Sequence, residues 1–372
     1  MKKLLSIIVT AILLTSCGKQ VEEINIGFIG PLTERAIDLG IGPAKALELA
    51  IKEYNGSKDP TAPKINLFVE DDQWEKEKAL PAYEKLRKEH NIQVLFISNT
   101  GGTIALQEKV LKDGVIMINQ LNSDALLSAL NRNTFKIAKR TEDAHEVIGA
   151  RIAELGLKNL LIYHFPNDFM TRGAKSVESV LKDNGISYKT IEIIKGQTDF
   201  KNSLSAAKND NVDGICFFGY RNFGFAMKQA REMGIDCQFF GSTTLFDPIF
   251  YDNSEGTIVG TECTYFTEKD GNYVLAHEFI EKYEKLHLEK PGSIWPAMQA
   301  YDAGNITIGI LATINEENPE KFDDWLRQKL HRVNYYQGVC GNISIGPDGA
   351  SKGIYFSIYR YADKGVPQKI KR

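Results

Sequence analysis

Gln93-Val94-Leu95-Phe96-Ile97-Ser98-Asn99-Thr100-Gly101-Gly102-Thr103 passes from an uninterrupted apolar run into a polar, glycine-bearing turn and then into an amphipathic stretch over residues 103–112. An apolar run without alternation is a strand covered on both faces, and a strand followed by a helix returns to a parallel neighbour by a right-handed crossover. The unit recurs at once. The apolar run 115–118 leads into Asn119-Gln120-Leu121-Asn122-Ser123-Asp124, which opens another helical pattern. Working outward, strands are expected at 24–29, 65–69, 159–163, 188–193 and 214–218. Helices are expected at 42–54, 75–89, 141–155, 171–184 and 223–234. After about residue 240 the alternation gives way to helices at 277–289, 295–314 and 319–330, followed by strand-like segments at 341–345 and 353–361. The expected fold class is α/β, with two doubly wound lobes that the chain crosses more than once. The cleft between them is the expected binding site, because such sheets hold ligands beyond the carboxyl ends of their strands.

Composition narrows the functional classes. Lys and Arg number 45 against 48 Asp and Glu, for a formal net charge of -3, and the basic residues are scattered among acidic ones. No phosphate-neutralising patch is visible, so no nucleic-acid partner is expected. The first eighteen residues differ from the rest. Lys2 and Lys3 precede a short apolar run that ends in Leu14-Thr15-Ser16-Cys17-Gly18. The run is shorter than the about 20 residues that cross a bilayer core. The pattern is that of a lipoprotein signal peptide over 1–16, with Cys17 as the lipidated residue and a tether over 17–23. The folded part would then be anchored to a bacterial membrane outside the cytoplasm, in the cell envelope or periplasm. Four further cysteines, Cys216, Cys237, Cys263 and Cys340, are too widely separated for a redox pair or a zinc site, and no bridge is assigned.

The chemistry-bearing positions cluster at strand ends. The turn at Ser98 to Thr103 and the turn from Asn119 onward follow successive strands and precede helices. Their hydroxyls, free N–H groups and helix dipoles suit one carboxylate, with Thr100 and Ser123 as the donors. The plainer role for either residue is helix capping. Three or four charge-assisted bonds at about 1.5 to 3 kcal/mol each would supply much of the ~8 kcal/mol of a micromolar affinity. Gly27-Phe28-Ile29-Gly30-Pro31-Leu32-Thr33 is not a dinucleotide fingerprint, since no helix opens directly after it, and no cofactor is expected. The six histidines have no metal spacing. Glu70-Asp71-Asp72 is expected to serve the strand end rather than a cation. No nucleophile elbow, phosphate loop or hydrolase signature occurs, so no enzyme is expected.

The chain resembles the leucine/isoleucine/valine-binding proteins, the receptors of bacterial ABC importers with the type I periplasmic-binding fold. The resemblance rests on the segment from Ile26 to Thr33, on Gly40, Glu70-Asp71-Asp72, residues 114–118, Thr198-Asp199-Phe200 and residues 229–234. Ala300-Tyr301-Asp302-Ala303 and residues 341–349 complete it. It implies lobes over residues 24–141 with 268–350 and over 142–267 with 351–372, joined by a three-crossing hinge. It also implies an ABC permease as partner. Its carboxylate-binding hydroxyls match Thr100 and Ser123, joined by backbone around Ser98 and Leu121. Tyr220 and Phe169 would close from the second lobe, and Trp295 would pack.

Several positions depart from the family's pattern. Ser242-Thr243-Thr244 stands where the resemblance places an acidic partner for a ligand ammonium, which leaves Thr243 as a candidate contact and Asp168 or Asp247 as substitutes. Leu39 replaces a ligand-contacting tyrosine, and Trp74 and Asn99 replace a disulfide. The expected function is capture of a small carboxylate-bearing solute, foremost an amino acid, by lobe closure. The rivals are a sensor for a signalling partner, a receptor for amides or urea, and an extracytoplasmic hydrolase.

Overall fold

The computed structural model of the chain describes residues 20–34, 36–122, 131–246, 249–266, 273–364 and 366–370. Among them the first sheet holds β1 (Glu23–Gly30), β2 (Lys64–Asp71), β3 (Val94–Ile97), β4 (Ile116–Asn119) and β5 (Thr134–Lys136), with α1 (Ile41–Ser57), α2 (Lys76–His90) and α3 (Thr100–Asp113) between them. Its order is β2-β1-β3-β4-β5 and every pairing is parallel. Each residue of β3 and β4 is buried, as expected of strands with helices on both faces. Val94, Phe96, Ile116 and Ile118 join the core that includes α1, while Leu95, Ile97 and Met117 join the core with α2 and α3. The pleat thus sends alternate residues to opposite helical layers.

The chain then enters the second unit through α4 (Thr141–Glu154), β6 (Asn159–His164), α5 (Asp168–Asp183), β7 (Ser187–Glu192) and α6 (Lys201–Asn209). It continues through β8 (Gly214–Phe218), α7 (Phe223–Glu232), β9 (Gln238–Gly241), α8 (Ile249–Asn253) and β10 (Glu262–Phe266). Helices α9 (Val274–His287), α10 (Ile294–Leu311), α11 (Ile314–Glu317) and α12 (Phe322–Leu330) return it to the first core. The closing strands are β11 (Tyr336–Gln337), β12 (Gly341–Ile345), β13 (Ser351–Ile354), β14 (Phe356–Asp363) and β15 (Val366–Lys369). The second large sheet has the order β15-β14-β10-β9-β8-β6-β7, parallel from β7 to β10 and antiparallel at β14 and β15. A small antiparallel sheet, β11-β12-β13, belongs to the first core. The fold is therefore two α/β lobes that exchange the chain more than once.

Several elements differ from the sequence expectation. Helix α3 opens at Thr100, three residues early, because Asn99 caps it. The helix expected over 295–314 ends at Leu311, and Ile314 starts α11. The segment expected as one strand over 353–361 is two, broken at Tyr355, since β13 pairs with β12 and β14 with β10. The short β5 and β10 and the polar α6 gave no signal, because three to nine residues hold too few periods.

One buried ion cluster ties the second lobe's returning strand to its first helix. Glu262 on β10 is 2% exposed and accepts from Arg151 Nε of α4 at 2.7 Å and from an Arg360 guanidinium nitrogen of β14 at 3.2 Å. Hydrogen bonding to Glu262 raises the Arg151 pKa further and keeps it charged.

Candidate ligand-binding site

Strands β3 and β4 are neighbours in register, Ile97 beside Asn119, so the turns that leave them lie side by side. Asn99 takes the capping role: its Oδ1 accepts from Gly102 N–H at 3.0 Å and its Nδ2 donates to Asp72 at 2.9 Å. The Thr100 hydroxyl is consequently not consumed as a cap. Thr103 donates to the Asn99 carbonyl at 2.8 Å and accepts from Asn119 Nδ2 at 2.8 Å. The remaining Asn119 Oδ1 accepts from the N–H groups of Leu121, at 2.9 Å, and Asn122, at 3.0 Å. Asn122 Nδ2 then donates to Thr100 Oγ1 at 2.6 Å, linking the two turns. Because Thr100 Oγ1 is the acceptor in that bond, its own proton remains available for a ligand.

The other expected residues of this wall are placed less simply. Ser98 is fully buried; its hydroxyl donates to the Leu39 carbonyl and its N–H to the Ile29 carbonyl. Leu121 gives its N–H to Asn119, and its carbonyl accepts from Gln299 Nε2 at 3.1 Å. Both residues therefore brace the turns with these groups. Ser123 and Cys17 lie outside the described residues.

The acidic segment is divided among separate partners. Glu70 pairs with Lys85 at 2.7 Å. Burial alone would raise Asp71, but bonds from Leu32 N–H, the Thr33 hydroxyl and Gln73 N–H outweigh it and hold the carboxyl below its ordinary value. Asp72 is fully buried, and burial raises its pKa against the opposing bonds from Asn99 and from Trp74 N–H at 3.0 Å. That carboxyl thus joins the two positions where the resemblance expects a disulfide. Gly40 lets the loop after β1 press against the site: a Cβ there would lie 1.9 Å from the Pro31 carbonyl oxygen.

The second wall is made of neighbouring strand ends of the large sheet. Asn167 caps α5, its Oδ1 accepting from Met170 N–H at 2.8 Å, and its Nδ2 donates to the Tyr220 hydroxyl at 3.2 Å. The Tyr220 ring meets Phe165 edge-on at 4.9 Å and is 41% exposed. Thr244 donates to the Gly219 carbonyl at 2.7 Å and bonds Ser242 at 3.0 Å. Thr243 heads the short helical turn Thr243–Phe246 and is half-buried. Phe169 and Asp168 lie on α5 with side chains outside the description, and Asp247 lies outside the described residues. Trp295, half-buried at the start of α10, has Lys139 Nζ 4.0 Å above its ring.

Among the described residues no group of three His, Cys, Asp or Glu side chains is placed to hold a metal ion. Cys216, Cys237, Cys263 and Cys340 are buried and unbridged. Burial pushes the Cys237 thiol up to about 11 and the other strand thiols higher, which disfavours the nucleophilic thiolate. Sequence reasoning missed Asn99, Asn122 and Asn167 as the organisers of both walls. For Asn99 and Asn167, an Asx residue one position before a helix was the available signal.

A family model described as periplasmic binding protein matches residues 23–361. The Leu/Ile/Val-binding protein of Citrobacter freundii is 20% identical over 364 residues, covering 94% of each chain. Among solved structures, the ABC transporter substrate-binding protein from Desulfitobacterium hafniense in complex with Leu superposes with a TM-score of 0.74. It shares 20% identity and covers 94% of this chain and 100% of its own. A solute-binding protein of an ABC transporter from R. palustris in complex with benzoate gives 0.65 at 16% identity, covering 93% of this chain and 94% of its own.

Proposed function

The chain belongs to the periplasmic binding protein family, and from that premise we propose that it is an extracytoplasmic solute receptor that delivers its ligand to an ABC permease. It binds its solute and catalyses no reaction. The ligand is a small carboxylate-bearing solute, foremost an amino acid. The observation that carries the reading is the Thr100 hydroxyl, which accepts from Asn122 between two adjacent strand ends and so keeps its own proton to donate. Similar structures hold leucine and benzoate, which share a carboxylate and little else. The lack of an acidic residue at Ser242-Thr243-Thr244 is compatible with either kind of ligand, provided an ammonium finds other acceptors.

Closure supplies the mechanism. The first lobe, residues 24–141 with 268–350, presents Thr100 and Ser123, supported by Ser98 and Leu121. The second, residues 142–267 with 351–372, brings Tyr220, Phe169 and Thr243, while β13 reaches back to pair with β12. A ligand touching both walls binds the closed state better and shifts the population toward it. Cys17 carries the lipid that tethers this movement to the membrane.

A thermal-shift panel of amino acids, keto acids and aromatic acids tests the reading. A ligand at 100 times its Kd stabilises by roughly 2.7 kcal/mol, and small-angle scattering should show contraction of the same sample. A panel without any shift, or a liganded crystal with the Thr100 wall empty, refutes it. Mass determination of membrane-extracted protein tests the anchor: unmodified Cys17 rules it out.

A further inference from the structure

The chain is locked to the first lobe just before β1 begins. Val21 N–H donates to Asn315 Oδ1 at 2.8 Å, and Asn315 Nδ2 returns a bond to the Val21 carbonyl at 2.9 Å, the exchange a neighbouring strand would make. The same Nδ2 donates to the Thr61 carbonyl at 2.8 Å, which also accepts from Gln20 Nε2 at 3.1 Å. The Glu22 carbonyl accepts from Lys64 N–H at 2.9 Å, and Val21 packs against the first core. The clamp itself is fixed. Ile314 is buried in that core, and Glu317 accepts from Trp325 Nε1 at 3.1 Å and pairs with Lys329 at 2.7 Å, so α11 is tied to α12. Every pairing in the first sheet is parallel, so the clamp sits at the amino ends of the strands, while the turns bearing Thr100 and Asn122 leave their carboxyl ends. Along the eight residues of β1 that separation is roughly 25 Å.

From this clamp we infer that the amino-end pole of the first lobe, around α11 and the Thr61 turn, is a membrane-docking surface whose partner is the bilayer that holds Cys17, an inference that rests on the lipid-anchor reading of Cys17. The argument is one of reach. Four Cα-to-Cα steps of about 3.8 Å separate Cys17 from Val21, so the clamped end lies at most about 15 Å from the lipidated residue. The headgroup layer on one side of a bilayer takes up about 5 to 8 Å of that length, which leaves the pole no more than about 10 Å of free water. Charge adds little pull of its own, because Glu22, Asp59 and Glu316 stand among Lys58 and Lys64 on this pole. The short, clamped tether therefore supplies the contact. The first lobe becomes the stationary one, its ligand wall is kept away from lipid by the length of β1, and closure is a swing of the second lobe over it.

The test uses the full lipidated chain in phosphatidylcholine vesicles that carry a nitroxide on the headgroup, which quenches a dye on near contact. Cys216, Cys237, Cys263 and Cys340 are buried, so a dye reaches an introduced thiol selectively. Glu316→Cys places it on α11 beside the clamp, and Lys189→Cys places it on β7, the edge strand of the second sheet. The Glu316 dye should be quenched several-fold more than the Lys189 dye. Inserting about ten Gly and Ser residues between Gly18 and Lys19 adds roughly 18 Å of reach and should remove most of the difference. Asn315→Leu combined with Val21→Ser removes the clamp's bonds and its packing, extends the reach to about 23 Å at Glu23, and should lower the Glu316 quenching in the same direction. The insertion lies outside the folded lobe, so it decides the matter even if the double variant folds poorly. Equal quenching at the two positions, or a Glu316 signal that the insertion leaves unchanged, overturns the proposal. Mass determination separates the failures: lipidated Cys17 with equal quenching removes this inference alone, whereas unmodified Cys17 removes the anchor reading and this one with it.

Discussion

Replacing Thr100 with valine keeps the side chain's shape and removes its oxygen. Two interactions disappear: the O–H that would donate to the ligand carboxylate, and the acceptor for Asn122 Nδ2 at 2.6 Å. The first is charge-assisted and contributes about 1.5 to 3 kcal/mol, which corresponds to a Kd roughly 10- to 150-fold weaker. The second is a neutral bond between half-buried groups that water can partly replace, so the ligand-free protein should lose at most about 1 kcal/mol. Helix α3 is capped by Asn99 and not by Thr100, so no cap is lost. Isothermal calorimetry with the ligand identified by the panel, alongside urea unfolding of ligand-free protein, separates the two quantities. Thr100→Ser keeps both groups and should bind within about three-fold of wild type, about 0.7 kcal/mol. A Thr100→Val protein that binds within two-fold of wild type would refute the argument. So would one whose unfolding midpoint collapses, because the hydroxyl would then serve the fold.

The remaining expectations concern the scaffold. Arg151→Met should destabilise by about 3 to 5 kcal/mol, because Glu262 stays buried with only the more exposed Arg360 to neutralise it; adding Glu262→Gln should recover much of the loss in urea melts. Gly40→Ala should cost about 1 to 3 kcal/mol, since the new Cβ displaces the Pro31 carbonyl, and a melting temperature equal to wild type would contradict the close approach. His145 is buried against Phe218 with Nδ1–H donating to the Thr141 carbonyl at 2.8 Å, and burial pushes its pKa down to about 4. The unfolded chain takes up that proton near 6.5, so the contribution is intact above that pH and is lost as pH falls toward about 4, an effect of about 3 kcal/mol. Unfolding midpoints measured from pH 4 to 7.5 should fall more steeply for wild type than for His145→Gln; equal slopes would exclude this titration.

The sequence by itself determined the architecture. Runs such as Val94 to Ile97 and Gly214 to Phe218 are apolar at every position, and only a strand buried on both faces accepts that pattern. The polar turns after β3 and β4 were visible for the same local reason, since polar residues follow each apolar run at once. Tertiary structure alone decided which polar atoms remain for a ligand. Ser98 and Leu121 read like Thr100 in sequence, but the chain brings Leu39, Ile29 and Gln299 against them from up to 178 residues away and consumes their donors and acceptors. Asn99 and Asp72, 27 residues apart, similarly share a bond that neither residue announces in the sequence. Burial and backbone periodicity are short-range properties that each residue carries along the chain. Whether a hydrogen-bonding group is satisfied depends on partners remote in sequence, and those exist only once the lobes have folded.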